Sequence, residues 1–421
     1  MALSATRDTP RATSRDVPSL PLPPLPVAAV TFMLLASTVV WRRGDIFTGG
    51  VDVVVAGKGL LSVLALAVAF FTAVSRGAAR RKLGTGSLWF LGVLLTASVF
   101  GALTYGTLIP SGVIAVRVAI VALTVFLLLR TAPPHQVLAG LVWSSGVIAV
   151  VGAGTNLGSA GSGRLEGGLP PLNPNELAML ASFVVLAVAW QIVLGEVRWY
   201  LWATAGIFLG IVWLTGSRTG LLMLVAALVV MAAHMRRPSP ALVVSALVAA
   251  ATGILLATYT GGVIEFLERD GTGTSTLDSR FIAWSAAETW AETGWQTAFG
   301  GGLSVKLIPV AGQWWDTQLL DSSWVSALVQ AGLVGLVTAV VWVLWVLRGA
   351  RLAPRPYRIL FLGMLVYIVG RSVLESGLFD ATPAFLMFMT ISILGEGGAR
   401  RRLARQATPL PGATPVDAST G

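Results

Sequence analysis

Long apolar runs separated by short polar connections set the pattern of this chain. They fall at roughly 26–41, 57–75, 87–108, 112–130, 136–154, 174–194, 198–215, 219–235, 241–260, 322–347, 357–375 and 382–396, twelve in all. A helix needs about 20 apolar residues to cross some 30 Å of hydrocarbon, and these runs meet or approach that length. The pattern predicts an all-α integral membrane protein with about twelve transmembrane helices. Its polytopic domain covers 26–398. A long polar and aromatic segment, 261–320, separates the ninth and tenth runs. Residues 1–25 are rich in Pro, Ser and Thr, and 399–421 are basic and then similar; both read as disordered tails. The first of these lacks the basic start and immediate apolar stretch of a signal peptide.

One pair of runs poses a question of length. Trp199 to Met235 is 37 residues, about 55 Å as a helix, too long for one crossing. The chain is expected to reverse near "TGSRTG" (215–220), where two glycines permit a tight turn. Each arm then has about 17 residues, the low end for spanning. The turn should sit at or just below the membrane surface, with Arg218 recessed among helices. Arg218 then either snorkels to lipid phosphate or binds an anion lying at that depth, such as a polyprenyl diphosphate headgroup.

Composition agrees with a membrane protein: 421 residues, 55% hydrophobic, 11% charged, mean hydropathy +0.80. There is no cysteine, which excludes disulfides and thiolate metal sites, and two histidines, His135 and His234, are too few for a zinc or di-iron centre. The net charge of +10 is a matter of topology. One set of connections, with both tails, holds 19 of the 29 Lys and Arg residues, in "RGAARRK" (76–82), "RGARLAPRPYR" (348–358), "ARRRLAR" (399–405) and shorter groups. That side is cytoplasmic, so both termini are inside and 261–320 is outside. No nucleic-acid partner is implied.

The outer connections carry the remaining candidates. In 155–180, Arg164 and Glu166 stand in a glycine-rich loop, followed by Asn173, Pro174 and Glu176, which read as a helix cap, first-turn proline and capping-box glutamate. In "DSRFIAWSAAETWAETGWQ" (278–296), Phe281, Trp284 and Ala291 share a helical face, as expected for short amphipathic helices lying along the outer surface. Arg280 there either pairs with Asp278 or binds an anion. Asp321 stands at the mouth of the tenth run, as an N-cap or as a general base. "FGGGL" (299–303) reads as a turn, not a phosphate cradle.

These stretches, "RLEGGLPPLNPNELAML", "GSRTGLL", "SRFIAWSAAETWAETGWQTAFGGGL" and "DSSWVSALVQAGLVGLV", follow the order seen in the O-antigen ligase and polymerase family, which the chain resembles over about 164–337. The resemblance implies a GT-C type, inverting, metal-independent glycosyltransferase of the bacterial cytoplasmic membrane, with no cofactor. Its donor would be a polyprenyl-diphosphate-linked glycan and its acceptor a glycan or lipid. It implies anion-binding roles for Arg164, Arg218 and Arg280, with Glu166, Asn175 and Arg371 as further substrate-binding candidates. The family's histidine–asparagine pair is replaced here by Asp321 and Ser322, so Asp321 is the candidate base, with Glu166 and Asp316 as substitutes. The rival class is a secondary transporter or lipid-linked glycan flippase, which twelve spans with both ends inside also fit.

Overall fold

A computed structural model describes residues 20–43, 47–75, 82–196, 198–234, 276–310 and 316–407. The ninth apolar run, 241–260, lies outside them. Eight helices open the chain: α1 (Leu25–Thr38), α2 (Val53–Ser75), α3 (Gly86–Tyr105), α4 (Leu108–Thr131), α5 (Pro134–Gly154), α6 (Pro174–Val193), α7 (Trp199–Leu214) and α8 (Arg218–Ala232). Further on come α9 (Thr276–Glu288), α10 (Gly294–Phe299) and an antiparallel hairpin of β1 (Leu307–Pro309) and β2 (Thr317–Leu319). Then follow α11 (Ser323–Arg351), α12 (Arg355–Ser372), α13 (Pro383–Leu394) and α14 (Gly397–Ala407).

Among the described residues, six helices, α2 to α6 and α11, are long and apolar enough to cross a membrane. The helix α2 exposes Leu60, Val63, Leu64, Phe70 and Phe71, the kind of surface that a helix turned to lipid presents. Helices α1, α7, α8 and α13 are apolar but have only 14, 16, 15 and 12 residues. All 12 residues of α13 are buried, so its neighbours, not lipid, surround it. The 18 residues of α12 include Arg355, Arg358 and Arg371.

Polar contacts tie the helix ends into two opposite layers. In one, Glu396 accepts from the backbone N–H and hydroxyl of Ser87 at the start of α3, Arg355 donates to His234 O (2.9 Å), and Trp190 Nε1 donates to Pro356 O. The other holds the 155–173 loop, the α7–α8 turn, Arg280, and the ends of α11 and α12. The apolar core lies between them, with α6 at its centre: 15 of its 20 residues are buried.

The reversal falls at 215–217 as expected. Gly216 supplies the positive φ (+58°), and Ser217 caps α8 by accepting from Gly220 N–H (3.3 Å). Gly220 has a different task from the turn. It lets α8 approach α6, where a Cβ would meet Ala178 Cβ at 3.3 Å.

The segment before α11 holds more structure than its pattern foretold. Ala283 and Ala287 of α9 are buried, with Ile282, Trp284 and Trp290 beside them, against Ile308, Val310, Leu320 and Val329. Phe281, on the apolar face read from the sequence, is 57% exposed. The hairpin, invisible in the sequence, supplies the surface that selects the alanine face. A capping box of Thr293 and Gln296 starts α10.

Directly after α10, the glycine string meets a break in α11. Gly332 has non-helical angles (φ 66°, ψ −164°), which leaves carbonyls of the preceding turn without helical partners. Gly301 N–H donates to Val329 O (2.9 Å) and Gly302 N–H to Gln330 O (3.0 Å). A Cβ on Gly332 would lie 2.3 Å from the Ala298 backbone. On its other side the string is held by α4, where Thr107 Oγ1 donates to Gly301 O and the Ser111 and Ser304 hydroxyls are 2.9 Å apart. The string is therefore a plug for a broken helix. Two of its N–H groups are already spent on protein carbonyls, which agrees with reading it as no phosphate cradle.

Candidate functional site

Asn173 accepts from Glu176 N–H (2.8 Å) and Pro174 takes the first turn, so the cap of α6 forms as expected. The reciprocal half of the capping box does not. The Glu176 side chain is buried, with Lys58 and Arg371 as its nearest opposing charges and with Oε2 lacking a hydrogen bond among the described residues. Burying it beside two cations replaces the bond back to the cap.

This cap fixes Asn175 at the second helical position, where it joins two distant segments. Its Oδ1 accepts from Arg164 Nη2 (3.0 Å) and its Nδ2 donates to Glu375 Oε1 (2.7 Å). Glu375, in the connection after α12, is the centre of the arrangement. It also accepts from Arg280 Nη2 (3.1 Å), and its Oε2 lies 3.7 Å from Arg371 Nη2. Arg280 Nε is in turn 4.0 Å from Asp321 Oδ2. Asn175, Arg280 and Arg371 thus meet at the Glu375 carboxylate, with Arg164 joined to it through Asn175 and Asp321 through Arg280, across up to 207 positions in sequence. Arg280, Arg371 and Glu375 are nearly enclosed, with side-chain exposures of 13, 9 and 15%.

Local reasons hold each group in place. Arg164 Nε donates to Thr215 O (2.7 Å) while Leu165 N–H donates to Leu214 O (2.9 Å), so the loop closes the carbonyl end of α7 with a cation. This structural task was not evident in the sequence. Arg371 ends α12 and adds a contact to Met179 Sδ (3.4 Å). Ser323 fixes the Glu375 connection by donating to Glu375 O (2.9 Å) and accepting from Leu378 N–H (3.1 Å).

Three expectations need correction. Asp321 does not cap α11; Ser322 holds that position, because the helix starts one residue later than the apolar pattern implied. That leaves the Asp321 carboxylate free of the helix and turned to Arg280. Burial first, then the charge of Glu375, push its pKa above the ordinary value, against the opposing pull of Arg280. Arg218 is exposed instead of recessed. It is the first residue of α8, whose first turn has no acidic side chain, and that is the unfavourable end of the dipole for a cation. Glu166 stays apart from the network and pairs with Arg43 (3.5 Å). Both line a polar cavity of about 540 Å³ with Asn156, Ser159 and Arg164. Of the three arginines around Glu375, Arg164 is the one on its wall.

Sequence reasoning missed Glu375 and Asp380, both in "ESGLFD" (375–380). Two acids in a short outer connection, in a chain with 19 in all, were the available signal. Asp380 pairs with Lys306. Burial alone would raise its pKa, but the charge and hydrogen bond of Lys306, the charge of Arg117 and the Ala381 N–H together hold it below the ordinary value. Arg117 also donates to Ser37 O (2.8 Å) and stacks over Phe47.

The constellation is an internal ion-pair network, with guanidinium groups paired to Glu375 and a second carboxylate of raised pKa, Asp321, beside them. No family model matches the chain, and no curated protein matches it.

Proposed function

We propose that the chain transfers a glycan from a polyprenyl-diphosphate carrier to an acceptor hydroxyl at the outer face of the bacterial cytoplasmic membrane, without a metal ion. The observation that carries this reading is the gathering of Arg164, Arg280 and Arg371 around Glu375, with Asp321 at its edge. In this reading Glu375 stands where an anion belongs, and the diphosphate of the donor takes its place. Counted with Lys58 and the buried Glu176 beside Arg371, four cations stand against three carboxylates. Arg218 at the start of α8, next to the Thr215 carbonyl that Arg164 holds, adds a further cation.

The chemistry follows from those charges. Asp321 takes the proton of the acceptor hydroxyl. The acceptor oxygen bonds to the anomeric carbon as the bond from that carbon to the diphosphate oxygen breaks. The electron pair leaves with the diphosphate, and the arginines hold the charge that develops there. Attack from the opposite face inverts the anomeric configuration. The products are a glycosylated acceptor, the polyprenyl diphosphate and a proton on Asp321.

Twelve crossings with cytoplasmic termini go with this reading. The end of α8 lies in the layer opposite the one that holds Arg280 of α9. The apolar run at 241–260 lies between these two points in sequence and outside the described residues.

The purified protein in proteoliposomes, given a polyprenyl-diphosphate-linked glycan and a hydroxyl acceptor, should form glycosylated acceptor. Absence of product with donors and acceptors from the source cell would overturn the reading. One observation favours the transporter or flippase class: the break in α11, since broken helices line transport sites. Against it, the carbonyls at the break are already taken by Gly301 and Gly302. Movement of labelled lipid-linked glycan between leaflets with no transfer would reverse the choice.

A further inference from the structure

A second cavity, of about 430 Å³, opens on the far half of α9. It is walled by Tyr105, Ser285, Thr289, Trp290, Glu292 and Gln296, with Pro309 of β1 closing one side. Ser285 lies five residues beyond Arg280, about 8 Å along the helix axis and turned about 140° around it. The cavity therefore belongs to the same helix as the arginine network but faces elsewhere. Its size falls within the roughly 300–1,000 Å³ usual for small-molecule sites.

The wall has a definite chemistry. Tyr105 and Trp290 form an aromatic corner, with ring centres 5.3 Å apart and planes inclined at 50°. The Trp290 ring is pinned against the glycine string, since a Cβ on Gly301 would lie 2.6 Å from it. Ser285 Oγ donates to Ile282 O (2.9 Å) and Thr289 Oγ1 to Ala286 O (3.4 Å). With their protons used, both hydroxyls offer a ligand only lone pairs. The Glu292 carboxylate adds two more acceptor atoms. Gln296 differs, because its Oε1 accepts from Glu292 N–H (2.7 Å) and Thr293 N–H (3.2 Å), which leaves its amide NH₂ as a donor. Among the described residues, no Lys, Arg or His lines the cavity.

We infer that this cavity is a saccharide subsite for a neutral sugar unit. An acceptor-rich wall suits a ligand that brings many O–H donors, and an aromatic corner suits the flat C–H face of a pyranose. The absence of a lining cation makes it a poor site for phosphate or a lipid headgroup, in contrast to the arginine network. The inference rests on the proposed glycan transfer for the source of the sugar, which would be a residue of the donor or acceptor chain beyond the reacting one. It adds a reason for the position of α9, whose first turns carry Arg280 and whose last turns would hold the glycan.

The test uses the full-length protein in detergent and a panel of methyl glycosides of neutral hexoses and N-acetylhexosamines, read by saturation-transfer NMR. At least one glycoside should bind, with the strongest transfer to the ring protons of one face, and glycerol phosphate should not. Trp290→Ala and Glu292→Ala should each weaken binding about tenfold or more. Glu292 is exposed, so its variant tests the site without disturbing the packing around Trp290. No glycoside binding, binding unchanged in both variants, or binding of glycerol phosphate in place of sugar would overturn the inference. The two readings fail separately. Glycoside binding without glycan transfer removes the proposed function and keeps the subsite, and transfer with unchanged KM in Glu292→Ala, with no glycoside bound, does the reverse.

Discussion

Removing the charge of Asp321 separates two roles that share its position. Ser322, not Asp321, is the residue before α11, so Asp321→Asn should fold normally. As the base it should lose about a hundredfold or more in turnover with donor binding retained. A base works only when ionised, so wild-type transfer should rise with pH through a pKa above the ordinary aspartate value of about 3.9. That acid limb should disappear in the variant. The same raised pKa acts on stability in the opposite sense. Its contribution is complete below the ordinary pKa and is lost as pH climbs through the raised one. Wild-type turnover in Asp321→Asn would move the base elsewhere. Arg218→Lys keeps a charge at the start of α8 but loses the planar fork that grips two oxygens at once, and turnover should fall about tenfold or more. Unchanged steady-state kinetics would remove Arg218 from the site. Arg164 and Arg280 were legible as candidates from the stretches that carry the resemblance, and Arg371 because a cation within an apolar run needs a reason. Their meeting point was not, since Glu375 is an ordinary glutamate in an ordinary connection until the fold surrounds it with arginines.

Among the helices, α11 shows where an apolar pattern stops being informative. The run at 322–347 reads as one continuous span, and its ends are close to those observed. The break at Gly332 leaves no mark on hydropathy, because the residues on both sides of it are equally apolar. It follows from backbone angles and from what the glycine string brings to it. Gly332→Ala should therefore cost about 2 kcal/mol or more, from a left-handed φ and from contact with the Ala298 and Phe299 backbone. Gly92→Ala, in α3 with nothing within 4 Å of the new Cβ, should be neutral or stabilising by about 0.5–1 kcal/mol. Thermal unfolding of the two variants in detergent makes the comparison, and equal shifts would show that the break carries no special constraint. The protein-facing side of α9 was not legible for a related reason. A helix on a surface chooses its inner side by its partner, and here the partner is a hairpin of three-residue strands too short to register as a pattern.

For the protein as a unit, the charge asymmetry and the opposite layers of the α8 end and Arg280 make one shared demand. A reporter fused after Arg237 should read cytoplasmic and one inserted at Thr274 external. Together these two positions bracket the apolar run at 241–260. The same side for both would leave Arg218 and Arg280 in opposite compartments and dismantle the proposed site. The general architecture was legible because a membrane protein repeats one instruction, an apolar run followed by a charged connection, many times over. Which helices surround which was not, because lipid-facing and protein-facing apolar residues look alike in sequence. That every residue of α13 is buried while α2 presents phenylalanines outward is a fact of assembly.

The plug in α11 also dictates a sequence of events during synthesis. The glycine string leaves the ribosome before α11 does, and the ends of α3 and α4 that receive it are already made. A nascent chain that stops at Leu320 has a string seated on one side only, its other side waiting for the carbonyls of Val329 and Gln330. The outer part of α11 is then the closing wall, added to a loop that preceded it. Nested truncations in membranes should reveal this as a gain in protection. Chains ending at Leu320 should be cut by protease near Gly301, and chains extended past Arg351 should resist. Equal resistance in both would mean that the string is secured without the helix.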